Sequence, residues 1–191
     1  MPAIELAATR TALVLIDLQK GIVTPPRQPR SGIETVVVCA GLAQRFRAVG
    51  AMVVLVHVGF ADDYSDALSQ PVDAPIPRPE GGLPVDYMEF AEGLRQDGDV
   101  IVRKRNWGAF YGTELDVLLR RRGIDTVVVA GIATNFGVES TVRQAWERNY
   151  AVVVAEDGCT SATAEMHKVS VEAVLPRIAR VRQSSEIGLI A

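Results

Sequence analysis

The sequence predicts an α/β protein with a three-layer, doubly wound, mostly parallel sheet of six strands, in one domain over residues 1–191. Three observations carry this. Short β-branched runs recur along the chain and are apolar almost without interruption, which means burial on both faces, as in a parallel sheet. Segments with helical spacing alternate with them, and that alternation implies right-handed βαβ crossovers. A length of 191 residues, 48% hydrophobic and 23% charged, suits one well-buried core.

The first strand is 11–17, reading Thr-Ala-Leu-Val-Leu-Ile-Asp. A helix over 33–49 carries the stripe Val38, Leu42, Phe46 and Val49, with Cys39 beside it. The second strand is 51–58. Residues 60–98 break the rhythm, with five prolines and no strong period. A connection this long within a compact domain is functional or an interaction element, so it is expected to be a partly ordered excursion over the active face or into a subunit contact. The third strand is 100–104. The helix over 114–122 has the stripe Leu115, Leu118 and Leu119, a capping box of Thr113 and Asp116, and Gly123 as its stop. The fourth strand, 126–130, leads to a helix over 138–149 with the stripe Val138, Val142, Ala145 and Trp146 and a Glu139–Arg143 pair. A fifth strand at 151–155 is followed by a helix over 161–175, with Met166, Val169, Ser170 and Ala173 on one face. A sixth strand covers 179–182.

Composition removes several function classes. The net charge of −3 offers no basic surface for nucleic acid or an anionic membrane. The one compact basic run, Arg120 to Arg122, falls in a last helical turn, where cations complement the dipole. No apolar run is long enough to span a bilayer, and no leader pattern opens the sequence, so a cytoplasmic location is expected. Cys39 and Cys159 lie far apart and form no metal-type pair. The two histidines, His57 and His167, lack ligand spacing, so no metal is expected, and His167 reads as structural. No GxGxxG turn or Walker loop is present, so no nucleotide cofactor is expected.

Ligands of doubly wound sheets bind beyond the carboxyl ends of the strands. Asp17 closes the first strand, Lys104 closes the third, and the stretch Gly131 to Gly137 runs from the fourth strand into a helix. A carboxylate, an ammonium group and a helix N-terminus therefore share one rim.

Four motifs then match a known family. ALVLIDLQ (12–19), KRNWGAFYGTELDVLL (104–119), VVVAGIATNFGVEST (127–141) and AEDGCTSATAEMH (155–167) occur in order at fitting spacings. The chain resembles the isochorismatase-like cysteine hydrolase superfamily over almost its whole length. The resemblance implies a Rossmann-like hydrolase fold and a catalytic trio of Asp, Lys and Cys. It maps Asp17 and Lys104 onto the first two and puts Gly137 in the nucleophile position. It also implies a cis peptide at Ile132–Ala133 in a turn that aims backbone N–H groups at an oxyanion. The paired histidines of the metal-binding nicotinamidases are absent from 57–63. Self-association as a homodimer or homotetramer is expected.

Glycine cannot form a thioester, so amide hydrolysis through a covalent cysteine adduct is not expected. True isochorismatases also lack the cysteine and resemble enzymes that hydrolyse a vinyl ether with a carboxylic acid as proton donor. By that resemblance Asp17 is the acid, Lys104 orients and balances charge, and Gly137 leaves room for a small-molecule substrate. An ionised Asp17 acting as base on water stays open, because a neighbouring ammonium group lowers a carboxyl pKa. Gln19, Phe60, Trp107, Phe110, Asn135 and Phe136 are the candidates for lining the pocket. The alternatives are an inactive relative that binds a metabolite or protein partner in the old cleft, and a protein whose role lies in its oligomer surface.

Overall fold

The computed structural model describes residues 2–190. In chain order the elements are β1 (Ile4–Ala7), β2 (Thr11–Ile16), α1 (Lys20–Val23), α2 (Gly32–Ala48), β3 (Met52–Val58) and β4 (Val100–Lys104). There follow α3 (Leu115–Arg121), β5 (Thr126–Ile132), α4 (Glu139–Glu147), β6 (Ala151–Thr160), α5 (Ala164–Val169), β7 (Arg180–Arg182) and β8 (Ile187–Ile190). Strands β2 to β7 form one six-stranded sheet in the order β4-β3-β2-β5-β6-β7, and every pairing in it is parallel. All six residues of β2 are buried, as the unbroken apolar run requires of a central strand. The chain winds from β2 outward to β3 and β4, then restarts on the other side with β5. The switch point therefore lies between the ends of β2 and β5.

Gly131 is where these two strands come closest. Its φ is +126°, and a β-carbon there would lie 2.1 Å from the Ile16 carbonyl oxygen. Only glycine fits both the torsion and the space. The β5–β6 register shifts between Val129 and Gly131, and β6 carries the extra residues Ala155 to Gly158 before pairing resumes at Cys159. That irregularity takes β6 well past the predicted end at 155.

Several helical faces differ from the sequence pattern. In α2 the buried line is Thr35, Val36, Cys39, Leu42, Ala43 and Phe46, capped by a Ser31–Glu34 box. Val38 is half-buried one position round the helix, and Val49, just past its end, is exposed. In α4, Val142 and Ala145 are buried with Thr141, while Trp146 is exposed beyond the edge of the stripe. The Glu139–Arg143 pair is present at 2.9 Å. The face expected over 161–175 is largely inverted. Met166, Val169 and Ala173 point outward, whereas His167, Ser170 and Leu175 are buried. A hydrogen-bonded polar side chain, His167, occupies the inner face there, so counting apolar residues picked the wrong side. The Thr113–Asp116 box does not form. Thr113 Oγ1 accepts from the Leu115 amide at 3.2 Å, and Asp116 accepts from the Tyr150 hydroxyl at 2.8 Å. Gly123 does end α3, at φ +67°.

Two elements had no sequence signal. β1 and β8 pair in parallel as a separate two-stranded ribbon, Ile4 opposite Ile187 and Ala7 opposite Ile190. Each is four residues long, too short for a period of two to declare itself. Residues 60–98 contain no regular helix or strand. They are nevertheless fastened to the loop after β2. Lys20 N–H donates to Glu89 O at 2.8 Å, Gly21 N–H to Tyr87 O at 3.2 Å, and Ala91 N–H to Leu18 O at 3.0 Å. Where the segment rejoins the sheet, Arg47 grips Asp99 through Nε at 2.9 Å and Nη2 at 2.7 Å.

Candidate active site

Asp17 follows the last residue of β2 and has φ +53°, a left-handed torsion that turns its side chain across the sheet edge. Lys104 ends β4, two strands away. Neighbouring strands are about 4.8 Å apart, so a group on β4 must cross roughly 10 Å to meet one on β2. The long lysine stem does this over the end of β3. Lys104 Nζ reaches Asp17 Oδ2 at 2.8 Å and donates to the Asn106 carbonyl at 3.0 Å. Both side chains are almost wholly shielded, at 2% and 8% exposure. Arg103 and Arg105 turn instead to Asp66, so only the middle residue of the basic triplet enters the site.

The carboxyl group of Asp17 is divided. Oδ2 is held by Lys104, while Oδ1 is buried without a hydrogen-bond partner. Burial raises the Asp17 pKa to about 6, against the pull of the Lys104 charge. Desolvation wins over the ion pair because almost no water reaches the site.

Gly137 is buried in a single π-helical turn, Thr134–Val138, between β5 and α4. A β-carbon on it would lie 2.9 Å from Ile16 Cγ2 and 3.2 Å from Asp17 Oδ2. Any side chain at 137 would therefore press on the carboxylate. The Ile132–Ala133 peptide is cis, and the Ala133 carbonyl accepts from the amides of Phe136 and Val138, both at 3.1 Å.

The other candidates divide into two groups. Trp107 and Phe136 are partly exposed, with ring centroids 4.7 Å apart on the rim. Phe60 is half-buried against Tyr64, and Asn135 accepts from the Ser161 hydroxyl. Gln19 departs from the expectation of a ligand contact. Its amide donates to Val58 O at 2.9 Å and Tyr87 O at 3.0 Å, and it accepts from Val58 N–H at 2.8 Å. It is fully buried and splices the end of β3 to segment 60–98. Phe110 is also buried, packed on Tyr150 at 5.7 Å and beneath the Arg148 guanidinium, as a core residue.

Both cysteines lie in the core. Cys39 Sγ donates to Gly158 O and Cys159 Sγ to Ala155 O, each at 3.3 Å. Burial pushes the Cys159 thiol up to about 12 and also raises Cys39, so neither is a ready thiolate. His57 meets the Met88 carbonyl at 3.1 Å and the Phe90 ring. His167 joins two elements. One ring nitrogen lies 2.8 Å from Thr134 Oγ1, the other 2.8 Å from Glu156 Oε1. The His167 contact, followed by Arg30, holds the Glu156 carboxyl down at about 2. This chain ties the turn bearing Gly137 to β6. Thr134 and Glu156 carried no sequence signal, because their partner is thirty-three residues from one and eleven from the other.

Comparison with known proteins finds relatives over almost the whole chain. The family profile described as the isochorismatase domain matches residues 11–186. The isochorismatase family protein YecD of Escherichia coli O157:H7 is 51% identical over 96% of this chain and 97% of its own length. The ureidoacrylate amidohydrolase RutB of Variovorax paradoxus is 33% identical over 81% of this chain and 70% of its own. The solved structure of an isochorismatase family protein from Burkholderia thailandensis superimposes with a TM-score of 0.90 at 40% identity, covering 98% of this chain and 96% of that one.

Proposed function

Because this chain belongs to the isochorismatase family, we propose that it hydrolyses a small molecule without a cysteine nucleophile, through proton transfer by Asp17 beside Lys104. The observation that carries this reading is the divided carboxyl group. One oxygen is anchored at 2.8 Å on Lys104, the other is buried and free to act, and the pKa stands at about 6. A proton donor or acceptor works best with a pKa near the working pH.

In the acid form of the reaction, Asp17 delivers a proton from Oδ1 to the terminal carbon of a vinyl ether. The double bond supplies the electrons, and an oxocarbenium-like centre forms next to the ether oxygen. Water adds to that centre and returns a proton to Asp17. The hemiketal then breaks into a carbonyl compound and an alcohol. Lys104 balances the carboxylate while the proton is away. Gly137 keeps the space beside Asp17 open. Trp107, Phe136, Phe60 and Asn135 hold the substrate on the rim.

A base role has its own support, since a group with a pKa of about 6 is mostly ionised at pH 7. Asp17 would then take a proton from water attacking a carbonyl. The pH profile separates the two. Acid catalysis gives a kcat/KM that falls about tenfold per pH unit above the pKa, whereas base catalysis gives one that rises to a plateau there.

The test is a panel of vinyl ethers, esters and amides assayed on wild type and Asp17→Asn over pH 5 to 9. Vinyl ether turnover that disappears in the variant supports the acid mechanism. Ester or amide turnover that disappears supports the base mechanism. No turnover of any class by wild type would sink the enzymatic reading in favour of a cleft that only binds.

A further inference from the structure

The inner face of α5 carries a histidine where an aliphatic side chain would pack at lower cost. His167 is buried, and a buried polar ring is tolerated only when its nitrogens are bonded. Both are. Nε2 lies 2.8 Å from Glu156 Oε1, and Nδ1 lies 2.8 Å from Thr134 Oγ1. Glu156, held down at about 2, is ionised at neutral pH. A carboxylate only accepts, so Nε2 carries a proton, and Nδ1 of the neutral ring accepts from the Thr134 hydroxyl. Glu156 is itself fixed, by Arg30 Nη1 at 3.0 Å and Nη2 at 3.2 Å and by Gln183 Nε2 at 2.6 Å. The order carboxylate, imidazole, hydroxyl is that of a hydrolytic triad, but Thr134 is fully buried and cannot meet a substrate. The chain of bonds therefore fixes Thr134 in one direction rather than activating it.

Thr134 opens the turn that ends at Val138, and that turn stands against the reacting carboxyl. A β-carbon on Gly137 would lie 3.2 Å from Asp17 Oδ2, so the backbone of the turn is part of the wall that shields Asp17 from water. Other ties hold the far side of the turn. Thr141 Oγ1 donates to Gly137 O at 2.7 Å and accepts from Ala109 N–H at 3.1 Å, and Asn135 accepts from the Ser161 hydroxyl. His167 supplies the tie at the start of the turn, and runs it back through Glu156 to Arg30. Satisfied buried networks of this kind make a site rigid, and supporting shells of hydrogen bonds are what hold reacting groups in place.

We propose that His167 is a positioning residue for the site: through Thr134 it holds the turn over 134–138 against Asp17 and so keeps the carboxyl dry. The proposal rests on the reading of Asp17 as the reacting group, and deepens it by naming what maintains its surroundings. Burial is the largest influence on Asp17, and it outweighs Lys104. A turn that swings outward admits water, and the carboxyl then returns toward its ordinary value. The charged and titratable groups that bear on Asp17, Lys104 from β4 and Tyr87 from the excursion, belong to other elements and stay in place in the variants below.

The test is a carboxyl-carbon NMR titration between pH 3 and 8 of the whole protein, carrying labelled aspartate. The Asp17 signal is the one that Asp17→Asn removes. In wild type its midpoint is expected at about 6. Thr134→Val, which deletes the hydroxyl, and His167→Phe are each expected to lower that midpoint by about one pH unit or more. Thr134→Ser, which keeps the hydroxyl, is expected to leave it at the wild-type value. Thermal midpoints measured alongside separate the roles. A tie that is merely structural lowers the melting temperature and leaves the Asp17 midpoint unmoved, and that result would overturn the proposal. A wild-type midpoint near 3.8 would overturn it as well, because the carboxyl would not be dry to begin with. If His167→Phe fails to fold by circular dichroism, Thr134→Val decides alone. No reading here needs turnover, so positioning and chemistry fail separately: a substrate panel without turnover leaves the titration result standing.

Discussion

At the scale of single residues, two glycines set what the site can do. A side chain at Gly137 would begin 3.2 Å from Asp17 Oδ2. Gly137→Cys is therefore expected to bring a thiol beside the carboxylate and to acquire an acyl adduct from an activated ester such as p-nitrophenyl acetate. Intact mass before and after thiol blocking reads this out, and no adduct would mean that 137 is not the nucleophile position. Gly131→Ala is a different matter. With φ at +126° and the Ile16 carbonyl 2.1 Å from the new carbon, the β2–β5 seam must open. The expected loss is about 3 kcal/mol or more in urea denaturation. Asp17 and Lys104 were legible in the sequence because strand ends announce themselves by the change from apolar to charged residues. Thr134 and Glu156 were not, because they are joined only through His167, which the fold sets between them.

At the scale of elements, the apolar strands were readable and the amphipathic helices less so. β2 and β4 fall within one residue of the sequence reading, since a buried parallel strand needs nothing but β-branched and aliphatic residues. α5 misled because its inner face is polar and satisfied by Thr134 and Glu156. The excursion over 60–98 depends on few fastenings, and Gln19 ties one of them, Tyr87 O, to Val58 at the end of β3. Gln19→Ala is expected to speed amide hydrogen exchange at 87–91 at least tenfold while the β2 amides stay protected, because local opening follows local bonding. Equal acceleration in both regions would show that Gln19 supports the whole sheet rather than the excursion.

At the scale of the whole molecule, two carboxyl groups give stability a pH dependence of opposite sign. Asp17 moves from 3.8 to about 6 on folding, so the folded chain holds a proton that the unfolded chain has lost. Its contribution is greatest below about pH 4 and falls by about 3 kcal/mol as pH rises through 6. Glu156 moves from 4.5 to about 2, so its contribution is present above 4.5 and is lost as pH falls toward 2. Thermal midpoints are expected to peak between pH 4 and 5. Asp17→Asn should flatten the decline on the alkaline side, and a decline left intact would locate its cause elsewhere. No helix among the described residues is long and apolar enough to cross a membrane. Assembly into two or four copies stays a proposal for sedimentation to decide, with exposed Ile33 and Val37 on α2 as the first surface to charge.

The ribbon of β1 and β8 bears on biosynthesis. Residues 4–7 are made long before their hydrogen-bonding partners, 187–190. While the six-stranded sheet assembles, β1 has no neighbour, and its edges are open to pairing with another nascent chain. A polysome translating this message thus carries many copies of one unpaired strand close together. Synthesis of residues 187–190 closes each ribbon within its own chain.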